Sequence, residues 1–396
     1  MKLDSVHYCE DKGMPSEWRV DGCQLGDVNL IVGKNASGKS KILRAINLIS
    51  DLLSGDQSLK SDRILREWIL TFNSHSPDDK QVYVLTVDNG TVVEEMLTIG
   101  SKIYLNRNKS GEGKIWAKKL NVDIDFQTPI DEIAALKRRD TIQHPFFENI
   151  YIWASTLRYY QFGTDLGRSV FALVKSIKKQ SLRKEIDFKD TEQVIGIFKL
   201  GEEELGTPFI EAIKSDMSSV DYQIDDVGTK TPAIFLENET EEFIDRKPEC
   251  LYVKENDLRQ KTEQYSMSQG MFRALSLIIQ VNYSLLSGKY SCILIDDIGE
   301  GLDFERSSSM IKLLINKAKS GLVQLIMTSN DRFIMNGVPL EFWSVIERQT
   351  GLAKLHNINN SKQIFDDFKF TGLNNFDFFA SQFYVEGFRN EESINQ

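Results

Sequence analysis

The run "VNLIVGKNASGKSKILRAINLISDLL" narrows the choice of fold more than any other stretch of the chain. An apolar segment, Val28 to Val32, passes through a glycine-bounded loop into a segment with apolar residues at Ile42, Ile46 and Ile49. That spacing predicts strand, loop, helix. The loop matches G-x-x-x-x-G-K-[ST] at Gly33, Gly38, Lys39 and Ser40. Glycines let backbone N–H groups close around a β-phosphate, Lys39 reaches the β- and γ-oxygens, and Ser40 offers a hydroxyl to Mg²⁺. The helix start adds its partial positive charge. Gly33, Lys34, Asn35, Ala36, Ser37, Gly38, Lys39, Ser40 and Lys41 are therefore candidates for binding ATP with magnesium.

A phosphate loop needs a carboxylate to hold the metal, and "CILIDDIGEGLD" delivers Asp296 at the end of an apolar run, followed by Asp297. Upstream, in "YSMSQGMFRALSLIIQVNYSLLS", Ser268 to Gly270 open an amphipathic segment carrying Leu275, Ile278, Ile279 and Val281. A polar, glycine-containing helix start presents N–H groups that suit a γ-phosphate brought by another subunit.

In this order the parts resemble the ABC-type ATPase heads of the RecF, SMC and OLD-like group. Stand-alone AAA-family ATPases of bacterial anti-phage and toxin-antitoxin modules fall within the same resemblance. Against the family's "LSGGQ" signature the chain has "MSQGM", keeping Ser268 and Gly270, 28 residues before Asp296. Against "DEPxSALD" it has "DDIGEGLD", which makes Asp296 the metal carboxylate, Asp297 the stand-in for the catalytic glutamate, and Asp303 the D-loop residue. In "LIMTSNDRF", Ser329 takes the usual position of a switch histidine, with Asn330 as the alternative, and Gln161 is the candidate glutamine for magnesium and the attacking water. The resemblance implies an α/β P-loop NTPase with an ABC-type head, an antiparallel β-subdomain and an inserted helical lobe. It also implies a homodimer, or higher oligomer, that sandwiches ATP between one subunit's P-loop and the other's signature.

The expected division is an N-terminal lobe over 1–165, a helical insertion over 166–247 and a C-terminal lobe over 248–396. "QVYVLTV" and "KIYLN" alternate as antiparallel strands. "SVFALVKSIKKQSLRKEI" reads as a basic amphipathic helix with Lys175, Lys178, Lys179, Arg183 and Lys184, and "PFIEAIKSDMSSVDYQI" places Phe209, Ile210, Ile213, Met217 and Val220 at helical spacing. No heptad array follows, so no coiled-coil arm is expected. "LEFWSVIERQTGLAKLHNI" reads as a hairpin, and the phenylalanine-rich tail after it is expected to pack back onto the head.

A net charge of −10 argues against bulk electrostatic binding of nucleic acid, while leaving room for a local basic patch. Four cysteines without a C-x-x-C pair, no apolar leader and no span of about 18 apolar residues point to a cytoplasmic protein with no membrane segment. Asp297 is a methylene shorter than glutamate, and Ser329 reaches less far than imidazole. The expectation is a slow ATPase that acts as a switch on a separately encoded effector, a nuclease or toxin, in anti-phage defence. Only 65 residues follow Asp331, too few for a nuclease domain of the kind that OLD-like relatives carry. A RecF-like clamp on DNA and a non-hydrolysing ATP-dependent scaffold are the alternatives.

Overall fold

Alternating inward and outward residues at the N-terminus form β1 (Lys2–Glu10), which pairs antiparallel with β2 (Trp18–Gln24). β3 (Val28–Val32), buried at every position, then leads into the glycine loop. The computed structural model describes residues 1–61, 63–73, 79–169, 172–175, 186–236 and 246–388. The chain gathers into two units, Met1–Leu157 with Ile326–Gln396, and Arg158–Leu325. These bounds differ from the three expected lobes, because the last 71 residues join the N-terminal ones.

In the first unit the helix predicted after the loop is α1 (Lys39–Ser54), which buries Ile42, Leu43, Ile46, Ile49, Leu52 and Leu53 on one side. Gly55, at φ 91°, ends it by returning its N–H to Asp51. The alternating runs form an antiparallel meander beyond β1. It comprises β4 (Arg66–Asn73), β5 (Gln81–Asp88), β6 (Thr91–Ile99), β7 (Lys102–Arg107), β8 (Glu112–Ala117) and β9 (Val122–Gln127). Its core encloses an ion pair, Arg107 to Glu95 at 3.2 Å, with both side chains inaccessible to solvent. Tyr83 Oη donates to the same carboxylate at 3.0 Å, as do the N–H groups of Ala134 and Ala135, which open α2 (Ala134–Lys137). Removing one partner would leave the other's charge buried and unmatched, at a cost of about 3–5 kcal/mol. α3 (Phe146–Thr156) packs on α1, with Ser50 Oγ donating to Ala154 O at 2.9 Å.

The second unit opens with β10 (Arg158–Gln161), parallel to β15 (Ser291–Asp296) in a register that pairs Gln161 with Asp296. A small antiparallel sheet is built from β11 (Ala172–Lys175), β12 (Ile224–Lys230), β13 (Arg246–Glu255) and β14 (Thr262–Glu263). β11 falls inside the segment expected to be a helix, so the insertion is mixed rather than purely helical. A short apolar run cannot be told from a buried strand by periodicity, and pairing with β13 decides it. Lys178, Lys179, Arg183 and Lys184 lie outside the described residues. α4 (Val194–Leu205) and α5 (Thr207–Ser219) follow, and Phe209, Ile213 and Met217 are buried with Val220 as their spacing predicts. After α6 (Ala233–Leu236) and the small sheet comes α7 (Gln269–Leu286), buried from Gly270 to Ser284, and then α8 (Phe304–Ala318) after β15.

The returning chain supplies β16 (Val323–Ser329), α9 (Arg332–Gly337), and the expected hairpin of β17 (Trp343–Gln349) and β18 (Leu352–Asn357). β17 lies parallel to β3, pairing Val345 with Val32, and β18 lies parallel to β2. The C-terminal hairpin thus sits between the glycine-loop strand and the N-terminal pair. In the tail, α10 (Lys362–Lys369), α11 (Asn375–Ala380) and α12 (Phe383–Glu386) bury Phe365, Phe368, Phe378 and Tyr384. Asn375 Nδ2 donates to Val338 O at 2.9 Å and the Phe376 N–H to Asn336 at 2.8 Å, so the tail does pack back. Phe370 and Phe388 stay exposed.

Candidate functional site

The glycine loop is held by its own contacts. Lys39 is buried, and its Nζ donates to the carbonyls of Gly33 at 3.0 Å and Lys34 at 3.4 Å, acceptors that phosphate oxygens can replace. Ser37 is 4% exposed and its Oγ has no partner. A Cβ on Gly33 would lie 2.5 Å from that hydroxyl and 3.2 Å from Ile346 Cβ, so any larger residue would force the Ser37 side chain to move. Gly38, at φ 112°, is constrained twice, since a Cβ there would also lie 3.0 Å from the Trp18 ring. Lys34, Asn35 and Ala36 are exposed, and Ser40 is half-buried at the start of α1. Lys41 is committed elsewhere, paired with Glu10 and 4.2 Å above the Trp18 ring.

Two further side chains reach the loop from the far end of the chain. Asn330 Nδ2 donates to Asn35 Oδ1 at 2.7 Å, and Arg348 Nη1 donates to the carbonyl of Ala36. Ser329, the first choice for the switch position, is buried at the end of β16, where its Oγ accepts the Asp331 N–H at 3.1 Å. Asp331 in turn caps α9. Asn330, the alternative for the switch position, thus contacts the phosphate loop through Asn35, one residue after Ser329.

In the second unit the carboxylate residues cluster. Tyr159 Oη donates to Asp296 Oδ2 at 3.1 Å, and Gln161 Nε2 donates to the same phenol oxygen at 3.3 Å. Gln161 is thus tied to Asp296 through Tyr159, on neighbouring parallel strands. Asp297 sits at φ 53°, a left-handed conformation that aspartate adopts more readily than longer side chains. Ser268 caps α7, its hydroxyl accepting the Met271 N–H at 3.2 Å, and leaves the helix start exposed. Gly270 has no room for a Cβ, which would stand 2.5 Å from the carbonyl of Gly301. Asp303 caps α8 through the Arg306 N–H at 3.0 Å and pairs with the Arg306 guanidinium at 2.6 Å; these bonds hold its carboxyl below the usual range. Arg306 stacks over Tyr222, whose phenol is raised by burial and which bonds to Ser268. The signature cap and the D-loop cap therefore share one set of contacts around the cavity of about 610 Å³ lined by Tyr222, Ser268, Met271 and Arg306.

Arg273, buried in α7, donates to Glu300 O at 2.8 Å and Thr164 O at 3.0 Å, joining the turn after Asp297 to the segment after Gln161. Sequence reasoning missed Arg273, Tyr159, Trp18 and Arg348. For Tyr159 a signal existed, since it lies two residues before Gln161 on one strand and so faces the same way. Arg273 was also visible as a lone charge in an apolar helix. Trp18 and Arg348 carried no local signal.

The residues fit a magnesium nucleotide. The glycine cradle and the unpartnered Ser37 hydroxyl await an anion, and no cluster of three His, Cys, Asp or Glu occurs among the described residues. A magnesium ion held through one or two side chains and substrate phosphates needs no such cluster. Among the described residues no helix is long and apolar enough to cross a membrane, and all four cysteines are free and buried.

A family model described as "AAA domain, putative AbiEii toxin, Type IV TA system" matches residues 28–336. No curated protein matches the chain. Among solved structures it is similar to an SMC head bound to the C-winged helix domain of ScpA, with 14% identity, a TM-score of 0.50, and coverage of 90% of this chain and 97% of that one. An SMC head domain from Thermotoga maritima gives 14% identity and a TM-score of 0.43 over 90% and 98% of the two chains. The Smc head with an extended coiled coil, bound to the C-terminal domain of ScpA from Pyrococcus furiosus, gives 13% and 0.48 over 93% and 99%. The first of these likenesses bears on the fold alone, and agrees with an ABC-type ATPase head.

Proposed function

Since the chain belongs to this family of AAA domains, with an ABC-type P-loop ATPase fold, we propose that it binds ATP with magnesium, hydrolyses it slowly and uses the cycle to pair two copies of itself. The observation that carries this reading is the shape of the phosphate loop, with Lys39 on exchangeable carbonyls and the buried Ser37 hydroxyl without a partner. Lys39 and the loop N–H groups take the phosphates. Ser40, Asp296 and Gln161 serve the magnesium, which neutralises charge on the phosphates when bound. Asp297 orients the attacking water, with Ser329 in the switch position and Asn330, which bonds to Asn35, as the alternative. Ser268, exposed at the start of α7, receives the nucleotide carried by a second copy, with the buried Gly270 letting the helix start lie close to Gly301 and Asp303 keeping the adjacent turn in place.

The paired state then regulates a separately encoded nuclease or toxin in the cytoplasm, as part of anti-phage defence. The family's description, "putative AbiEii toxin, Type IV TA system", supports a place in a two-component module, and gives the toxin's part to domains of this family. Calorimetry with ATP and Mg²⁺ tests the core of the proposal: wild type binds and Lys39→Ala does not. Equal affinity of the two proteins would remove the phosphate-loop assignment. Co-purification with the products of neighbouring genes tests the effector, and recovery of the chain alone in the presence of ATP would count against it.

A further inference from the structure

The phosphate loop contains a turn made for glycine with an alanine in it. The Ser37 N–H returns to Lys34 O at 3.1 Å and closes a four-residue turn, whose third residue, Ala36, has φ 59°. Asn35 before it has no positive φ. A turn with positive φ at its third residue alone is of type II, where glycine is the usual occupant because a Cβ crowds the backbone. Asparagine or aspartate could partly offset that crowding through its side chain, and alanine cannot.

Arg348 stands on the carbonyl of this residue. It gets there by register. β17 runs parallel to β3, with Val345 beside Val32, and continues past the end of β3 to Gln349. Ile346 consequently packs at Gly33, where a Cβ would lie 3.2 Å from its own, and Arg348 arrives two residues later at Ala36. The neighbouring carboxylate does not compete for the guanidinium, since Glu347 accepts from Gln349 at 2.8 Å and lies 2.7 Å from His356 Nε2.

We propose that Arg348 is a positioning residue for the nucleotide: by donating to the Ala36 carbonyl it keeps the strained Lys34–Ser37 turn in the conformation that accepts phosphate. This rests on the reading of the loop as the ATP site. A charged donor on a carbonyl is a stronger bond than a neutral one. It is also reversible, as a glycine at position 36 would not be, so the readiness of the loop depends on the β17–β18 hairpin.

A double-mutant cycle between Arg348 and Ala36 tests the proposal, with ATP affinity measured by calorimetry and thermal stability recorded beside it. Arg348→Ala is expected to weaken ATP binding about tenfold with alanine at position 36, and less than about threefold once Ala36→Gly is present. Arg348→Lys, which keeps a charged donor, is expected to lose less than about threefold, and Arg348→Gln, which does not, serves in the cycle if the alanine variant does not fold. A purely structural role for Arg348 would lower stability and affinity equally in both backgrounds. Such additivity overturns the proposal, as does an unchanged affinity in Arg348→Ala. Failure of wild type to bind ATP would instead remove the phosphate-loop reading, and this inference with it.

Discussion

The phosphate loop is supported from both ends of the chain, while the carboxylate cluster is supported by a strand and a helix from the chain's middle. Trp18 lies against Gly38, Asn330 on Asn35 and Arg348 on Ala36, so three distant segments converge on six residues. Around Asp296 the supports are Tyr159 and Gln161 on the adjacent strand, the first of them 137 residues away, and Arg273, which holds the turn that follows Asp297. The motif is local in both regions, but only the loop's geometry depends on the C-terminal hairpin. Substitutions far from the loop should therefore change nucleotide affinity. Those around Asp296 should change turnover and metal dependence.

The sharpest way to break the loop is at Gly38, where Gly38→Ala must tolerate both φ 112° and a 3.0 Å approach to Trp18. ATP binding should be lost, as in Lys39→Ala, but with thermal stability falling only in the glycine variant. Calorimetry and a melting curve check both. At the signature, Ser268→Arg should leave nucleotide affinity within about threefold, since the P-loop is untouched, yet abolish the gain of mass with ATP and Mg²⁺ in light scattering. A variant that still gains mass would contradict the paired arrangement. A smaller effect is expected at Asn330: replacement by alanine should weaken ATP about three- to fivefold by removing one neutral hydrogen bond, while Ser329→Ala changes affinity less and stability more. Least of all, Tyr159→Phe should raise the Mg²⁺ concentration needed for half-maximal turnover by about twofold, leaving ATP affinity alone. A loss of affinity there would blur the contrast between the two regions.

Much of this was legible because it is written in short periods. The phosphate loop, the first strands of the meander, the apolar face of α5 and the β17–β18 hairpin all follow from spacing over fewer than about 20 residues, whereas β8 and β9 lie in a stretch that reads as polar and mixed. β11 was misread because a few apolar residues fit a helix face or a strand equally well, and a partner some 75 residues away decided it. Ser329 and Asn330 differ by one position at the end of a strand buried throughout, so no alternation in the sequence separates the two. Arg348 could not be read at all. Its role exists only through the register of β17 against β3 and the φ of Ala36, and neither leaves a mark in local pattern.

The central claim is that the chain binds ATP well and hydrolyses it slowly because Asp297 reaches less far than glutamate. Single-turnover hydrolysis of wild type, Asp297→Asn and Asp297→Glu addresses it most directly. The asparagine variant should bind ATP within a few fold of wild type and lose most of its turnover, since an amide is a poor base. The glutamate variant should hydrolyse faster while melting earlier, because glutamate takes up the left-handed backbone at φ 53° less readily than aspartate. Slower hydrolysis by Asp297→Glu, with ATP still bound, would contradict the account and show a site built around aspartate.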